Sequence, residues 1–295
     1  MTLYAVLGAI EQGLAYGIMV IGVYLTFRIL DFPDLTVDGS LPLGASVSAV
    51  AITNGINPFL SLVFALCAGF LAGAVTAVLN AKFKILHLLA SILTMIALYS
   101  VNIRIMGGPN VALLGVNTVF DPLITFGVAG HLAGLAVFGI FAVVVALLVI
   151  WFLHTELGQA VLATGDNPQM ITSQGVNTHT IIILGVGLSN ALVALSGALV
   201  AQNQGAADVG MGIGTIIAGL ASVIIGETVF GFHNVFRAIT AALLGSVLYR
   251  LAISLALGLE WGTFRFSPSD LNLITAVLVI LALISPNIKK RLIRR

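Results

Sequence analysis

The sequence predicts an all-α fold, a polytopic transmembrane helical bundle of about 8–10 spans, one or two of them interrupted. Composition is the first reason: the 295 residues are 59% hydrophobic and 8% charged, with a mean hydropathy of +1.15, whereas soluble domains carry roughly 25% charged residues. So few charges cannot cover a water-facing surface. The second reason is pattern. Apolar runs near the roughly 20 residues that cross the hydrocarbon core recur along the whole chain, apolar all round where a barrel strand would alternate. Residues 1–295 read as one transmembrane domain with a polar loop at 154–180.

The runs fall at 3–27, 41–53, 59–79, 86–106, 131–153, 180–201, 211–229, 235–258 and 270–285, nine candidate spans. The opening MTLYAVLGAIEQG lacks a basic region and a small-residue cleavage site, so it reads as the first span itself. Short cytoplasmic loops hold the excess of Lys and Arg. The tail KKRLIRR therefore places the C-terminus in the cytoplasm and, with nine spans, the N-terminus outside. Arg28, Lys82, Lys84 and Arg237 then also fall inside, leaving Arg104, Arg250 and Arg265 elsewhere.

Two segments are interrupted. The run 41–53 spans only about 20 Å as a helix, against roughly 30 Å of hydrocarbon. Ahead of it stands FPDLTVDGS, with Asp31 just before. Pro33 biases Phe32 away from helix, Gly39 breaks the run, and Asp38 or Ser40 can cap a helix whose first turn holds Pro42. Either this stretch dips into the membrane as irregular backbone, tolerated only where protein or a water-filled cavity surrounds it, or the acids stay in the cytoplasm with Arg28 as an ion-pair partner. The second half repeats the order of events in NQGAADVGMGIGTIIAGLASVII: a span, a polar gap with Asp208, then a Gly-punctuated segment. The two leading spans run in opposite directions, which makes a candidate inverted repeat with the interruptions pointing to a solute path.

The loop HTELGQAVLATGDNPQMITSQGVNTHT is the longest polar stretch predicted inside and holds no Lys or Arg. Start and stop signals predict a helix over 156–164, a turn at Gly165-Asp166-Asn167-Pro168, and a second helix over 168–174 ending at Gly175. A plain solvated hairpin is the alternative.

These residues resemble the T-x-x-G-x-A-x-x-A-x-G-x-N-x-x-x-A-x-x-x-G-I pattern of bacterial ABC importer permeases of the branched-chain amino acid and ribose class. Thr155, Gly158, Ala160, Ala163, Gly165, Asn167, Gly175 and Val176 match, while Ile171 or Thr172 replaces the small residue expected midway. FPDLTVDGS is similar to the G-I-D-L-S-V-G-S segment of the sugar branch, with Asp38 as an extra or substituted position. IIGETVFG resembles V-x-G-G-x-S-x-x-G and departs from it at Glu227. Together with ILTMIALYSVNIRIMGGPN, the wording looks closest to a branch of tryptophan or tyrosine importer permeases.

The resemblance implies an importer subunit in a bacterial cytoplasmic (inner) membrane. It works as a homodimer beside an ATP-binding subunit and an extracytoplasmic substrate-binding protein. The solute is an aromatic or other amino acid, with related solutes open. ATP and Mg belong to the partner ATPase; no cofactor is expected on this chain, which has no G-x-x-x-x-G-K-[ST] phosphate loop. The loop becomes a coupling segment, with Thr155, Glu156, Gly158, Ala160, Ala163, Gly165 and Asn167 facing the ATPase. Asp34, Thr36, Asp38, Ser40, Asn102, Asn190 and Asp208 are the candidate path residues, because intramembrane ionisable groups are functional hypotheses by default. For Asn102, Arg104, Asn190, Gln202 and Asn203 an interhelical hydrogen bond is the competing role. Glu11 is expected to face protein.

Other classes are weakly supported. A secondary transporter driven by an ion gradient through Asp34, Asp38 or Asp208 is the alternative. No G-x-S-x-G, H-E-x-x-H or paired catalytic Asp motif marks an intramembrane enzyme. A net charge of +1 gives no reason to expect a nucleic-acid partner. Cys67 is the single cysteine and the five His are scattered, so neither a disulfide nor a metal site is expected.

Overall fold

A computed structural model describes residues 3–125, 127, 129–257 and, beyond these, 260, 261, 264, 265, 273, 276, 277 and 280. Eight of the nine expected spans stand as helices there. They are α1 (Leu3–Tyr24, continued by a π-helical turn Leu25–Ile29), α2 (Val37–Thr53), α3 (Pro58–Ala81), α4 (His87–Met106), α6 (Gly130–Leu153), α9 (Thr178–Gln204), α10 (Thr215–Phe230) and α11 (Val235–Leu257). The shorter elements are β1 (Asn110–Ala112), α5 (Asp121–Thr125), α7 (Glu156–Asp166), α8 (Pro168–Ser173), β2 (Ala206–Asp208) and a 3₁₀ turn at Val209–Gly212. Of the ninth expected span, 270–285, only residues 273, 276, 277 and 280 are described, each helical, and the basic tail lies outside the described residues.

Helix ends follow local chemistry. Asn57 accepts from the Phe59 N–H ahead of Pro58, and Asn177 accepts from the His179 N–H, so α3 and α9 each start on an asparagine cap. Gly107 and Gly205 close α4 and α9 in the left-handed conformation.

α9 is the central pillar, the most buried of the long helices. Small residues bring its neighbours against it. A Cβ on Gly44 of α2 would overlap the Ala194 backbone, and one on Gly73 of α3 would overlap the Val186 carbonyl. Hydroxyls tie the helices across these close faces: Ser189 Oγ donates to the Gly22 carbonyl at 2.6 Å, Ser196 Oγ to Ala15 at 2.8 Å, and Ser246 Oγ to Gly13 at 2.8 Å. Without a hydrophobic drive between helices in lipid, such packing and hydrogen bonding hold the bundle. α6 stands at the outside. Its free face of Ile140, Val143, Val144, Leu147 and Leu148, followed by Trp151 near its end, is apolar, which fits lipid.

The contacts fix relative directions. Glu11, Ala15 and Gly22 of α1 meet Asn203, Ser196 and Ser189 of α9, so these two leading spans are antiparallel. Ser40 and Ser48 of α2 meet Asn190 and Gln202, so α2 runs parallel to α9. α10 and α11 are antiparallel, with Gly226 on Ala241 and Gly245 on Ser222. The order α1, break, α2 is thus matched by α9, break, α10 in the opposite sense, the arrangement of an inverted repeat.

Three local expectations are corrected. α2 begins at Val37, and Gly39 sits inside it, where the missing Cβ makes room for Met95 and Leu98 of α4 rather than breaking the helix. Neither Asp38 nor Ser40 caps α2; Asp34 Oδ1 accepts from the Thr36 N–H, and Asp38 reaches a different helix. In the polar loop α7 runs on to Asp166, so Asn167 alone forms the turn and caps α8 through the Met170 N–H at 3.0 Å.

Candidate solute path and coupling segment

The π-helical turn ends α1, and the chain reverses at Asp31, a non-glycine residue at φ 51. Residues 32–36 then climb back into the bundle as irregular backbone. Asp34, 1% exposed, lies beside Asn190, near the middle of the 27-residue α9. The alternative in which the acids stay in the cytoplasm beside Arg28 is therefore corrected for Asp34: Arg28 pairs with Glu227 at 2.9 Å instead.

A closed polar network surrounds Asp34. Its Oδ1 accepts from the Thr36 N–H at 2.9 Å and its Oδ2 from Asn190 Nδ2 at 2.6 Å. Ser40 Oγ donates to Asn190 Oδ1 at 2.7 Å, and the Thr36 and Thr76 hydroxyls share a bond at 2.8 Å. Each polar atom removed from water here has a protein partner, the condition for tolerating irregular backbone at this depth.

Asp38, one turn further along, joins the two broken segments. Its Oδ2 accepts from the Gly214 N–H at 3.0 Å, and its Oδ1 from the Ile216 N–H at 2.9 Å and Thr215 Oγ1 at 3.0 Å. The N-terminus of α10 is thus capped by a carboxylate from the first turn of α2, where a negative charge is favoured by free N–H groups and the helix dipole. α2 has 17 residues and α10 has 16, so each reaches only about 24–26 Å. They start head to head at Asp38 and run toward opposite faces.

Against this junction lies a half-open cleft of about 330 Å³ between α2, α4 and the 209–213 segment, lined among others by Asp38, Pro42, Met95, Tyr99, Asn102 and Ile213. Asn102 is fully buried. Its Nδ2 donates to the Gly39 carbonyl at 3.2 Å, while its Oδ1 has no partner. Leaving a buried acceptor unpaired costs about 1–3 kcal/mol.

The remaining candidates are dispersed. Asp208 is exposed in β2, pairs across the strands with Asn110, and caps its own turn through the Gly210 N–H at 2.6 Å. Gln202 bridges Ser48 and the Val119 N–H, and Asn203 donates to Glu11, so both serve interhelical contacts. Asn190 does the same inside the polar network.

The polar loop folds back on the bundle. Thr155 caps α7 through the Gly158 N–H at 3.3 Å. A Cβ on Gly158 would overlap the Phe152 carbonyl, and one on Gly165 the Ile29 carbonyl of the π-helical turn. Ala160 also packs on the core. Gly158 and Gly165 therefore make close contacts within the chain, with Gly158 buried and Ala160 and Gly165 partly exposed. Glu156, Leu157 at 54% exposure, Asn167 and Met170 at 45% face outward. Arg28, on the same π-helical turn that Gly165 touches, holds Glu227 near the end of α10 and lies 5.1 Å over the Phe232 ring.

Sequence reasoning found the polar residues of the junction but not their partners. Thr76, Thr215 and the N–H groups of Gly214 and Ile216 went unnoticed, as did Tyr99. The signal for a helix start at Gly214-Thr215 was present in the sequence; that a residue 177 positions away would cap it was not.

Comparison with known proteins follows the same lines. A family model described as "Branched-chain amino acid transport system / permease component" matches residues 5–284. The chain is 41% identical over 283 residues to the tyrosine transport system permease protein of Clostridioides difficile, covering 96% of this chain and 92% of that one. It is 26% identical over 225 residues to the ribose import permease protein RbsC of Escherichia coli K12, covering 74% and 68%. PsaBC from Streptococcus pneumoniae, solved in complex with Fab, shares the fold at TM-score 0.53 and 13% identity, over 96% of this chain and 91% of that one. A structure described as an inward-facing metal-chelate type ABC transporter does so at TM-score 0.52 and 17% identity, over 97% and 85%. With its membrane-long helices, its broken pair joined at Asp38 and a family match along nearly its whole length, the chain belongs to the permease family of branched-chain amino acid transport systems.

Proposed function

We propose that this chain is the membrane-spanning subunit of an ABC importer, working as a homodimer with an ATPase on its 154–180 face and an extracytoplasmic binding protein on the opposite face. Its home is a bacterial cytoplasmic membrane, and its solute is an amino acid, as the names of the family and of the tyrosine transport relative support.

The observation that carries the reading is a continuous mechanical line. The exposed face of α7 and α8 is the docking surface; Gly165 rests on the π-helical turn; Arg28 on that turn grips Glu227 of α10; and the far end of α10 is held by Asp38 at the head of α2. A movement at the loop reaches the broken pair through packed backbone. A π-turn is a natural place to take up such motion, because its ladder is already locally expanded. For ATP to shift the equilibrium between inward-open and outward-open arrangements, the ATPase must contact this face differently in the two states. The ion-gradient alternative has less behind it: Asp34 and Asp38 are engaged in capping and bridging, and Asp208 secures its own turn.

Expression of the tagged chain with its neighbouring genes tests this. An ATPase subunit should co-purify, and Leu157→Glu, on the exposed face, should reduce the recovered ATPase about tenfold while folded yield is kept, since centrally placed apolar anchors dominate interfaces. Purification without any ATPase, or recovery unaffected by changes across the exposed face, would remove the reading.

A further inference from the structure

Arg250 is a charge inside a membrane-long helix, and nothing in the transport reading uses it. It stands in α11, half-buried, and its guanidinium lies 4.1 Å over the ring of Tyr16 on α1. Among the described residues it has no carboxylate partner, since the one ion pair there joins Arg28 to Glu227. The one acid of α1, Glu11, is turned elsewhere: its Oε1 accepts from Asn203 of α9 at 2.8 Å, and a Cβ on Gly134 of α6 would overlap it. A ring contact covers one face of a guanidinium and leaves its edge, with the N–H donors, free to bond. Beside it a half-open cavity of about 490 Å³ lies between α1 and α11, lined by Arg250, Gln12 and Ser254 with Ala5, Ala9 and Ile253 among the apolar residues. Every polar side chain there can donate, and no acid lines it.

The packing fixes the depth of this cavity. Gly13 is pressed on Val247, which sets Arg250 level with the turn of α1 before Gly13, and Glu11 in that turn meets Asn203, one residue before α9 ends at Gln204. The cavity therefore sits where the bundle leaves the hydrocarbon, at the end away from the 154–180 segment. An arginine that merely snorkels carries its head into open water. This one is held on an aromatic ring at a cavity wall, where a cation without a counter-charge is costly. A planar fork of donors matches the oxygens of a phosphate, and the volume falls within the roughly 300–1,000 Å³ of small-molecule sites.

We propose that the groove between α1 and α11 binds the phosphodiester headgroup of an anionic phospholipid. Arg250 pairs with the phosphate, Gln12 and Ser254 donate to headgroup oxygens, and Tyr16 holds the guanidinium in place. The leaflet is the outer one by the distribution of basic residues. The lipid supplies the counter-charge that the chain lacks here and bridges two helices that meet through the close approach of Gly13 and Val247. A zwitterionic headgroup brings a cation of its own, which this lining, without an acid, does not answer.

Lipid retention in native mass spectrometry and thermal stabilisation test this on the full chain purified in detergent. The probes are dioleoylphosphatidylglycerol, dioleoylphosphatidylcholine and inorganic phosphate. Phosphatidylglycerol should be retained about tenfold more than phosphatidylcholine, the factor one charge-assisted contact supplies, and should raise the thermal midpoint, which inorganic phosphate should leave unchanged. Arg250→Gln should abolish the preference. Because Arg250 also packs on Tyr16, Ser254→Leu fills the cavity without removing that contact and should lower retention as well. Lys82→Gln combined with Lys84→Gln changes exposed positions just beyond α3, at the opposite end of the bundle, and should leave the preference intact. Equal retention of phosphatidylcholine, a preference that survives both cavity variants, or its loss through the lysine pair would overturn the site. Equal stabilisation by inorganic phosphate would overturn the lipid as its occupant. Loss of binding-protein recruitment in Arg250→Gln with the lipid preference intact would overturn it too, by assigning the guanidinium to a protein carboxylate.

Discussion

Asp34 takes two hydrogen bonds at opposite oxygens, one from its own chain at Thr36 and one from Asn190 of α9. Asp34→Leu leaves the Thr36 N–H and one of the two Asn190 amide hydrogens buried without this acceptor, the other still reaching the Val186 carbonyl, at about 1–3 kcal/mol each. Folded yield in detergent should drop sharply and the thermal midpoint should fall. Asp34→Asn keeps one acceptor, so its midpoint should fall by about half as much. Asp38 has a different task. Asp38→Ala removes the cap of α10, a loss of about 0.5–2 kcal/mol, and hydrogen exchange at Gly214 and Ile216 should accelerate while α9 stays protected. These residue types were legible in the sequence as acids that needed explaining. Their roles were not, because a cap or a pairing across more than 150 positions is a property of packing and leaves no local pattern.

Among elements, the apolar runs told most. Length and uninterrupted hydropathy marked eight helices within a few residues, because the cost of an unpaired backbone group in hydrocarbon forces any such run into helix. What escaped was at the breaks. Gly39 reads locally as a stop, yet it is a close-approach position beneath α4. The loop glycines show the same inversion: Gly158 and Gly165 matched a pattern for a docking segment, and in the structure they seat α7 on the bundle. Gly165→Val should consequently disturb the fold, since its side chain meets the Ile29 carbonyl. A reduced folded yield by size-exclusion chromatography is the expected result, in contrast to Leu157→Glu, which leaves yield intact and weakens ATPase recovery.

For the whole molecule, opposite directions of the α1–α2 and α9–α10 units place both breaks at one junction, and the single ion pair among the described residues, Arg28 to Glu227, closes the end of the bundle nearest the 154–180 segment. The basic residues predict the sidedness. In a Cys67→Ser background, the thiol introduced by Gln169→Cys should react only from the cytoplasmic side and that of Asn117→Cys only from outside. Both positions are exposed, so a wrong-sided signal would reverse the topology directly. The energy source remains the central claim, because an ABC permease and an ion-coupled carrier can share helices, breaks and buried acids. Uptake of labelled L-tyrosine into vesicles bearing the assembled complex and its binding protein measures it most directly. The account predicts uptake that requires ATP on the side of the 154–180 segment and continues when ionophores collapse the ion gradients; uptake that ignores ATP and disappears with the ionophores would contradict it.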